Sequence, residues 1–198
     1  MRHGASAAAV PGEPFDLLDG HADPPLAPEG REQASCVADR LAGQPIDALF
    51  VTPLRRTQET AAPLAERTGL EPVVVPELRE VMLGDWEGGK LRINAAKGDP
   101  LFFRMLEEER WDVIPNAEPM DEFGARVRRG LESIVERTGP DRVAVAVLHG
   151  GVIGELARQA THSRPFAFVH ADNCSITRLV VLSQDRWLLH SFNDAAHL

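Results

Sequence analysis

The sequence predicts an α/β fold: a three-layer α/β/α sandwich with a mostly parallel central sheet and a small helical cap segment. Short apolar runs of strand length alternate with segments whose apolar residues recur every three or four positions. One run, residues 143–148, is apolar throughout, which is typical of a strand buried on both faces. With 198 residues the chain is long enough for one core, so we expect a single domain over residues 1–198.

The amino-terminal half of the chain predicts two helices and two strands. Apolar residues at helical spacing after a Pro-Glu-Gly start predict a helix over residues 28–41. The apolar run at 46–51 predicts a strand, and a helix from about 54 to 68 follows it. Three consecutive valines at 73–75 predict a second buried strand.

The carboxyl-terminal half continues the alternation after an interruption. Residues 88–120 lack strand character and hold a short apolar helical stretch, so we expect an insertion there that caps a site. The remaining predicted elements are a helix at 123–138, the strand at 143–148, a helix at about 152–160, and strands near 176–182 and 187–191.

Charge and composition restrict the classes of partner. The net charge of −9, from 30 acidic and 21 basic residues, argues against nucleic acid and against an anionic membrane surface. Any anionic ligand must therefore be held by a local cationic pocket. The chain begins without a long apolar run, so we expect neither a secretory signal nor a membrane span, and a cytoplasmic location. Neither Cys36 and Cys174 nor the histidines have metal-ligand spacing, so we predict no metal.

Polar side chains follow two of the predicted strands where each strand ends. The segment TPLRRT at 52–57 follows one strand and places Arg56 in the first turns of a helix. The segment LHGG at 148–151 places His149 at the end of the most apolar strand. Because open α/β sheets bind ligands outside the carboxyl ends of their strands, Arg56 and His149 are candidates for one site.

Further motifs stand in order around these two segments. The chain opens with RHG at 2–4, and LRE at 78–80 precedes GDWEG at 84–88. In type and order, the set resembles the histidine phosphatase (phosphoglycerate mutase-like) superfamily. The similarity extends over nearly the whole chain, since residues 23–34 resemble that family's Pro-Leu-Thr-x-x-Gly-x-x-Gln-Ala segment. The GDWEG run resembles the phosphatase branch of the family.

The resemblance implies a metal-independent phosphatase with no cofactor, acting on a small phosphorylated substrate. It implies that His3 is the nucleophile and that Glu80 gives a proton to the leaving group. The implied catalytic residues are His3, Glu80 and His149, and the implied phosphate-binding residues are Arg2, Arg56, His149, Ser6 and Gly150.

The chemistry of phosphoryl transfer asks for these residue types. A phosphate monoester carries about −1.5 to −2 charge at pH 7, and forked guanidinium groups match its oxygens in geometry. Imidazole attacks phosphorus only through an unprotonated nitrogen, so we expect a neutral His3 whose other ring N–H binds a backbone carbonyl. We expect a protonated His149 to complete the cationic clamp. Glu80 must hold a proton for the leaving alcohol and then lose it to activate water.

Two departures from the family pattern leave alternatives open. Family members carry a short strand before the Arg-His-Gly tripeptide, whereas here Met1 directly precedes Arg2. Either the sequence begins several residues late or another part of the chain supports the loop with His3, and whether this chain is active depends on that. At Ala9 many members have an asparagine that contacts phosphate. Its absence removes one donor and points away from the family's glycolytic mutases. A mutase, which would reuse the same site, stays an alternative, and so does a phospho-ligand binding protein that has lost catalysis, which the departure at the amino terminus suggests.

The substrate is also left open by the sequence. The predicted cap at 88–120 would select it, and the aromatic residues Phe102, Phe103 and Trp111 are candidate contacts. Sugar phosphates, phospholipid-like esters and phosphopeptides fit this segment about equally. Family members are often homodimers, but no exposed apolar stripe in the sequence decides the oligomeric state.

Overall fold

The computed structural model describes all of residues 1–198 and contains six α-helices and seven strands. The helices are α1 (Pro28–Leu41), α2 (Arg55–Thr68), α3 (Lys90–Lys97), α4 (Pro100–Glu108), α5 (Met120–Thr138) and α6 (Gly150–Thr161). The strands are β1 (Leu17–Leu18), β2 (His21–Ala22), β3 (Ala48–Val51), β4 (Pro72–Val74), β5 (Ala144–Ala146), β6 (Ile176–Ser183) and β7 (Arg186–Asp194). None of the six helices combines the length and the hydropathy that a membrane-spanning helix requires.

A parallel sheet with the order β4-β3-β5 forms the centre of the fold. Successive side chains of a strand point to opposite faces. Leu49 and Val51 of β3 accordingly pack in one apolar cluster with α1 and α2, while Phe50 packs in the other with α5 and α6. The predicted α/β class, with helices covering both faces of a parallel sheet, is thereby confirmed.

The prediction that the valine run at 73–75 forms a buried strand is wrong for most of its length. In β4, Val73 and Val74 are 38% and 43% exposed, and only Val75, just after the strand, is buried. The reason is topological, since β4 is an edge strand that pairs only with β3. Strand β5 is also only half-buried, although it was expected to be buried on both faces.

Backbone hydrogen bonds hold the start of the chain within the sheet. The amino group of Met1 donates to the Ala146 carbonyl (2.6 Å), and the amide of His3 donates to the Leu148 carbonyl (2.9 Å). On the other side, the Arg2 amide donates to the Ser175 carbonyl (3.1 Å). The loop that carries His3 is therefore supported from two sides, next to the carboxyl end of β5.

Residues 88–120 contribute to the core as well as to the surface. Helices α3 and α4 lie in this segment, as the apolar pattern indicates. Met105, Trp111 and Ile114 are buried in the same cluster as Phe123 of α5. The segment predicted to be a cap is therefore also part of the core, because these three apolar side chains pack against α5.

Candidate active site

Four of the predicted site residues line one cavity of about 160 Å³: Arg2, His3, Arg56 and Glu80. The cavity lies where the carboxyl ends of β3 and β5 lead into α2 and α6. Arg56 is in the first turn of α2, and His3 follows the residue that bridges to Leu148 after β5. This is the edge at which open parallel sheets bind their ligands.

His3 is buried and has a defined tautomer. Its Nδ1 lies 2.7 Å from the Gly4 carbonyl, and because a carbonyl oxygen can only accept, Nδ1 carries the hydrogen. Nε2 is then the nitrogen without a hydrogen. Burial, reinforced by the charges of Arg56 and Arg2, holds the pKa of His3 well below its usual range. The neutral ring tied to a backbone carbonyl is the arrangement that the sequence analysis expects.

Close backbone packing fixes the loop beside this ring. A Cβ atom on Gly4 would lie 2.4 Å from the Gly30 carbonyl oxygen, which no real side chain tolerates. The first turn of α1 can therefore approach the loop only because both positions are glycine. The glycine after His3 and the glycine in the Pro-Glu-Gly start of α1 thus have the same structural explanation.

His149 lies against His3, with ring centroids 5.3 Å apart, but it does not line the cavity. Its Nε2 is 3.0 Å from Oγ1 of Thr52. Burial, together with the charge of Arg56, holds the pKa of His149 well below its usual range. The expectation of a protonated His149 is therefore wrong for the unliganded protein, since this residue also lies at the positive amino-terminal end of α6.

Backbone carbonyls orient Arg2 and Arg56, the two cavity arginines that the sequence predicts. Nη1 of Arg56 donates to Ala22 O (2.7 Å), and Nη1 of Arg2 donates to Ala171 O. Burial lowers the pKa of Arg56 to about 10, so this guanidinium is still charged at neutral pH. The remaining N–H groups of both forks are free for an anion. The pocket is thus locally cationic in a protein whose net charge is −9.

Glu80 connects the end of a 3-10 turn to the start of α6. Its Oε2 accepts from the Gly151 amide (3.1 Å), and its Oε1 accepts from the Val81 amide (3.0 Å). A Cβ atom on Gly151 would lie 2.6 Å from Glu80 Oε1, so the carboxylate occupies the space that the glycine leaves. Glu87 also lines the cavity, and its two oxygens likewise accept from backbone amides, those of Leu83 and Ala22. The charge of Glu80 acts on the pKa of both Arg2 and Arg56, whereas that of Glu87 acts only on Arg56, so Glu80 is the carboxylate more closely associated with the two anion-binding arginines.

Ser6 and Gly150 do not line the cavity, contrary to the expectation that both contact phosphate. Oγ of Ser6 accepts from Nη2 of Arg92 (2.8 Å), so the hydroxyl is separated from the pocket by that guanidinium. A Cβ atom on Gly150 would lie 3.6 Å from Nε of Arg2, which places this glycine behind the arginine fork.

Arg92 is a cavity residue that sequence reasoning missed. It lies in the first turn of α3, and its Nη1 donates to Ala7 O (3.0 Å). Loss of surrounding water and the charge of Arg2 lower its pKa. The available signal was its position four residues after the end of the GDWEG run, inside the segment predicted to face a site.

The aromatic residues at the cavity are also different from those expected. Phe102, Phe103 and Trp111 do not line it; Phe103 is 58% exposed and Trp111 packs on Phe166. The cavity instead contains Phe15 and Trp86. An amphipathic helix that buries one face in the core turns its other side chains toward solvent. Helix α4 does this, and none of its residues lines the cavity.

Comparison with known proteins matches the chain to one family. The family model described as the histidine phosphatase superfamily (branch 1) matches residues 1–195. The "Probable phosphoglycerate mutase GpmB" of Yersinia enterocolitica is 30% identical over 91% of this chain and 86% of its own. The "Phosphoglycerate mutase-like protein 4" of Arabidopsis thaliana is 34% identical over 91% of this chain and 79% of its own.

Solved structures of similar fold include two phosphatases. A mycobacterial glucosyl-3-phosphoglycerate phosphatase is 30% identical, with a TM-score of 0.78 over 98% of this chain and 96% of that one. The α-ribazole phosphatase of Shigella flexneri is 26% identical, with a TM-score of 0.76 over 98% of this chain and 94% of that one.

Proposed function

Because the chain belongs to the histidine phosphatase superfamily, we propose that it is a metal-independent phosphomonoester hydrolase that acts through a phosphohistidine on His3. The observation that carries the proposal is the neutral, buried His3 in one cavity with Arg2, Arg56 and the carboxylate of Glu80. The phosphatases among the similar structures support hydrolysis over other phosphoryl transfer.

The first step of the proposed reaction forms the phosphoenzyme. The free N–H groups of Arg2 and Arg56 bind the non-bridging oxygens of the ester and offset the charge that spreads over them. Nε2 of His3 attacks phosphorus as the bond from phosphorus to the ester oxygen breaks. Glu80, protonated at this stage, gives its proton to that oxygen, and the alcohol leaves.

The second step regenerates the free enzyme. Glu80, now a carboxylate, takes a proton from a water molecule as the water oxygen attacks the phosphorus of phosphohistidine. The P–N bond breaks, Nε2 of His3 recovers its lone pair, and inorganic phosphate leaves. The negative charge of the phosphoryl group offsets the electrostatic repulsion that keeps His149 neutral beside Arg56 and His3. We therefore expect His149 to take up a proton while phosphate is bound.

Phosphoglycerate mutase-type transfer is a second candidate. The names of the Yersinia and Arabidopsis relatives support it. A mutase uses the same first step but returns the phosphoryl group from His3 to another hydroxyl instead of to water. The two reactions are separated by their products, since only hydrolysis releases inorganic phosphate.

The test is a panel of phosphate esters, p-nitrophenyl phosphate and phosphoglycerates included, assayed with EDTA present. We expect phosphate release by the wild-type protein, loss of that release in His3→Ala, and retention in the control His190→Ala, whose side chain is exposed on β7. Isomerised phosphoglycerate without free phosphate would favour the mutase. Phosphate binding without turnover by the wild-type protein would leave a binding protein and refute the hydrolase.

A further inference from the structure

His21 contains a buried ring nitrogen that the proposed reaction does not use. The residue is 5% exposed in β2, and its Nδ1 lies 3.1 Å from the Asp19 carbonyl oxygen. Its Nε2 has no hydrogen-bonding partner. Because buried polar atoms are nearly always paired in native proteins, an unpaired nitrogen at this position requires an explanation.

The position of His21 provides that explanation. The residue lines the same cavity as His3 and Arg56. Nδ1 and Nε2 lie on different sides of an imidazole ring, so a ring anchored through Nδ1 to Asp19 keeps a buried Nε2 without a protein partner on its other side. His21 is also among the groups that lower the pKa of His149, which places it near the buried histidine pair.

The backbone around His21 is fixed on both sides, so the ring cannot easily turn away. The Ala22 carbonyl accepts from Nη1 of Arg56 (2.7 Å), and the Ala22 amide donates to Oε2 of Glu87 (2.8 Å). The carboxylate of Asp19 is paired with Arg79 at 2.9 Å. The hairpin of β1 and β2 is thus tied to the phosphate-binding arginine and to the opposite side of the cavity.

We propose that His21 is a further substrate-contacting residue, whose Nε2 donates a hydrogen bond to a non-bridging oxygen of the bound phosphate group. The identity of the ligand rests on the proposed function, whereas the contact itself rests on the cavity, the burial and the unpaired nitrogen. Nδ1–H already donates to Asp19, so Nε2 can donate only when the ring takes up a proton. The bound phosphate supplies the negative charge that stabilises this imidazolium.

The charged and titratable groups around the ring belong to several elements. They are Asp19 and Arg79 as an ion pair, Asp23 and Glu87 as carboxylates, and Arg56 and His149 on the sheet side. Phosphate bound by Arg56 would bring negative charge beside the ring, so uptake of a proton by His21 is expected to accompany ligand binding.

Kinetics of His21 variants test the contact. In His21→Ala we expect the KM for p-nitrophenyl phosphate and the inhibition constant of inorganic phosphate to rise about tenfold, the loss typical of one hydrogen bond to a charged group. His21→Gln retains a side-chain N–H donor and should recover part of this affinity. The matched control is His190→Gln, at an exposed position on β7. Unchanged inhibition by phosphate in a folded His21→Ala protein would overturn the proposal.

Ring ¹⁵N NMR provides a second readout that needs no turnover. The signal of His21, assigned by its absence in His21→Gln, should change on addition of inorganic phosphate from that of a bare Nε2 to that of an N–H nitrogen. An unchanged His21 signal at saturating phosphate would contradict the proposal but leave the hydrolase intact. A wild-type protein that binds no phosphate at all would refute both.

Discussion

The cavity has two sides of different character. The floor, formed by Arg2, His3 and Arg56 and backed by the buried His149, is cationic and oriented by the backbone carbonyls of Gly4, Ala22 and Ala171 or by a threonine hydroxyl. The outer wall, formed by Phe15, Trp86, Leu91 and Arg92, combines apolar surface with one guanidinium at the mouth. Binding of a phosphoryl group requires positive charge at fixed positions, whereas recognition of the alcohol part of an ester depends on a surface of complementary shape. The floor is therefore suited to the reaction and the outer wall to selection of the substrate.

After loss of the nucleophile, Glu80→Gln is expected to reduce kcat the most, because Glu80 transfers a proton in both steps of the proposed reaction. An amide of the same shape keeps the Gly151 amide bonded but cannot exchange a proton. We expect kcat to fall by about 10³-fold, within the usual range for general acid–base groups. Steady-state assays should show no comparable loss in Glu77→Gln, whose carboxyl is exposed outside the cavity. Equal losses in both variants would contradict the assignment.

Arg56→Lys tests the geometry of the floor at constant charge. A lysine cannot donate to the Ala22 carbonyl and to two phosphate oxygens in the same planar arrangement, so we expect kcat/KM to fall by about 10²-fold. The adjacent Arg55→Lys is the matched control, since Arg55 is 57% exposed and pairs with Glu59. Equal kcat/KM values for Arg56→Lys and Arg55→Lys would contradict this, because positive charge at position 56, without the guanidinium geometry, would then be enough for activity.

Arg92→Ala tests the outer wall and should have a smaller, substrate-dependent effect. The KM should rise by up to about tenfold for esters that carry a second anionic group, and less for p-nitrophenyl phosphate, with kcat nearly unchanged. Lys97→Ala, an exposed residue of the same helix, controls for the loss of positive charge on α3. A large fall in kcat for every substrate would instead assign Arg92 to the floor.

The pH dependence of stability should include a contribution from the two buried histidines. The pKa values of His3 and His149 are held well below the usual range by burial and by Arg56, so between about pH 6.5 and their folded values the unfolded state binds more protons. The free energy of unfolding should therefore fall as pH is lowered from about 6.5. Urea unfolding across this range should show a weaker dependence in His149→Gln than in the wild-type protein. An identical dependence would exclude His149 as a source.

The floor could be predicted from sequence far better than the outer wall. Arg56 and the buried His149 follow apolar strands, and strand ends meet at one edge of a sheet, so order along the chain is enough to bring them together. The charge of His149 could not be predicted, because it depends on burial against Arg56 and on the end of α6. Ser6 was expected at phosphate, but its hydroxyl binds a guanidinium that only the folded cap segment supplies.

The side chains of the outer wall are brought together by tertiary packing, which the hydrophobic periodicity of the sequence does not reveal. The apolar pattern of residues 100–108 predicts an amphipathic helix but does not show what the exposed face of that helix contacts. Phe103 was therefore expected at the site, whereas its side chain is exposed to solvent. Phe15 and His21 lie in or beside a hairpin of two-residue strands, too short for any strand signal. Likewise, the edge position of β4 follows from topology and not from its valines.

The most direct test of the central claim is to look for a phosphoryl group on His3 itself. Glu80→Gln protein would be mixed with a phosphate ester, quenched at alkaline pH, where phosphohistidine survives, and examined by ³¹P NMR and by peptide mass spectrometry. We expect a phosphoryl group on Nε2 of His3, lost on brief acid treatment and absent in His3→Ala with Glu80→Gln. Ester hydrolysis by the wild-type protein with no phosphorylated His3 in any quenched sample would contradict the account.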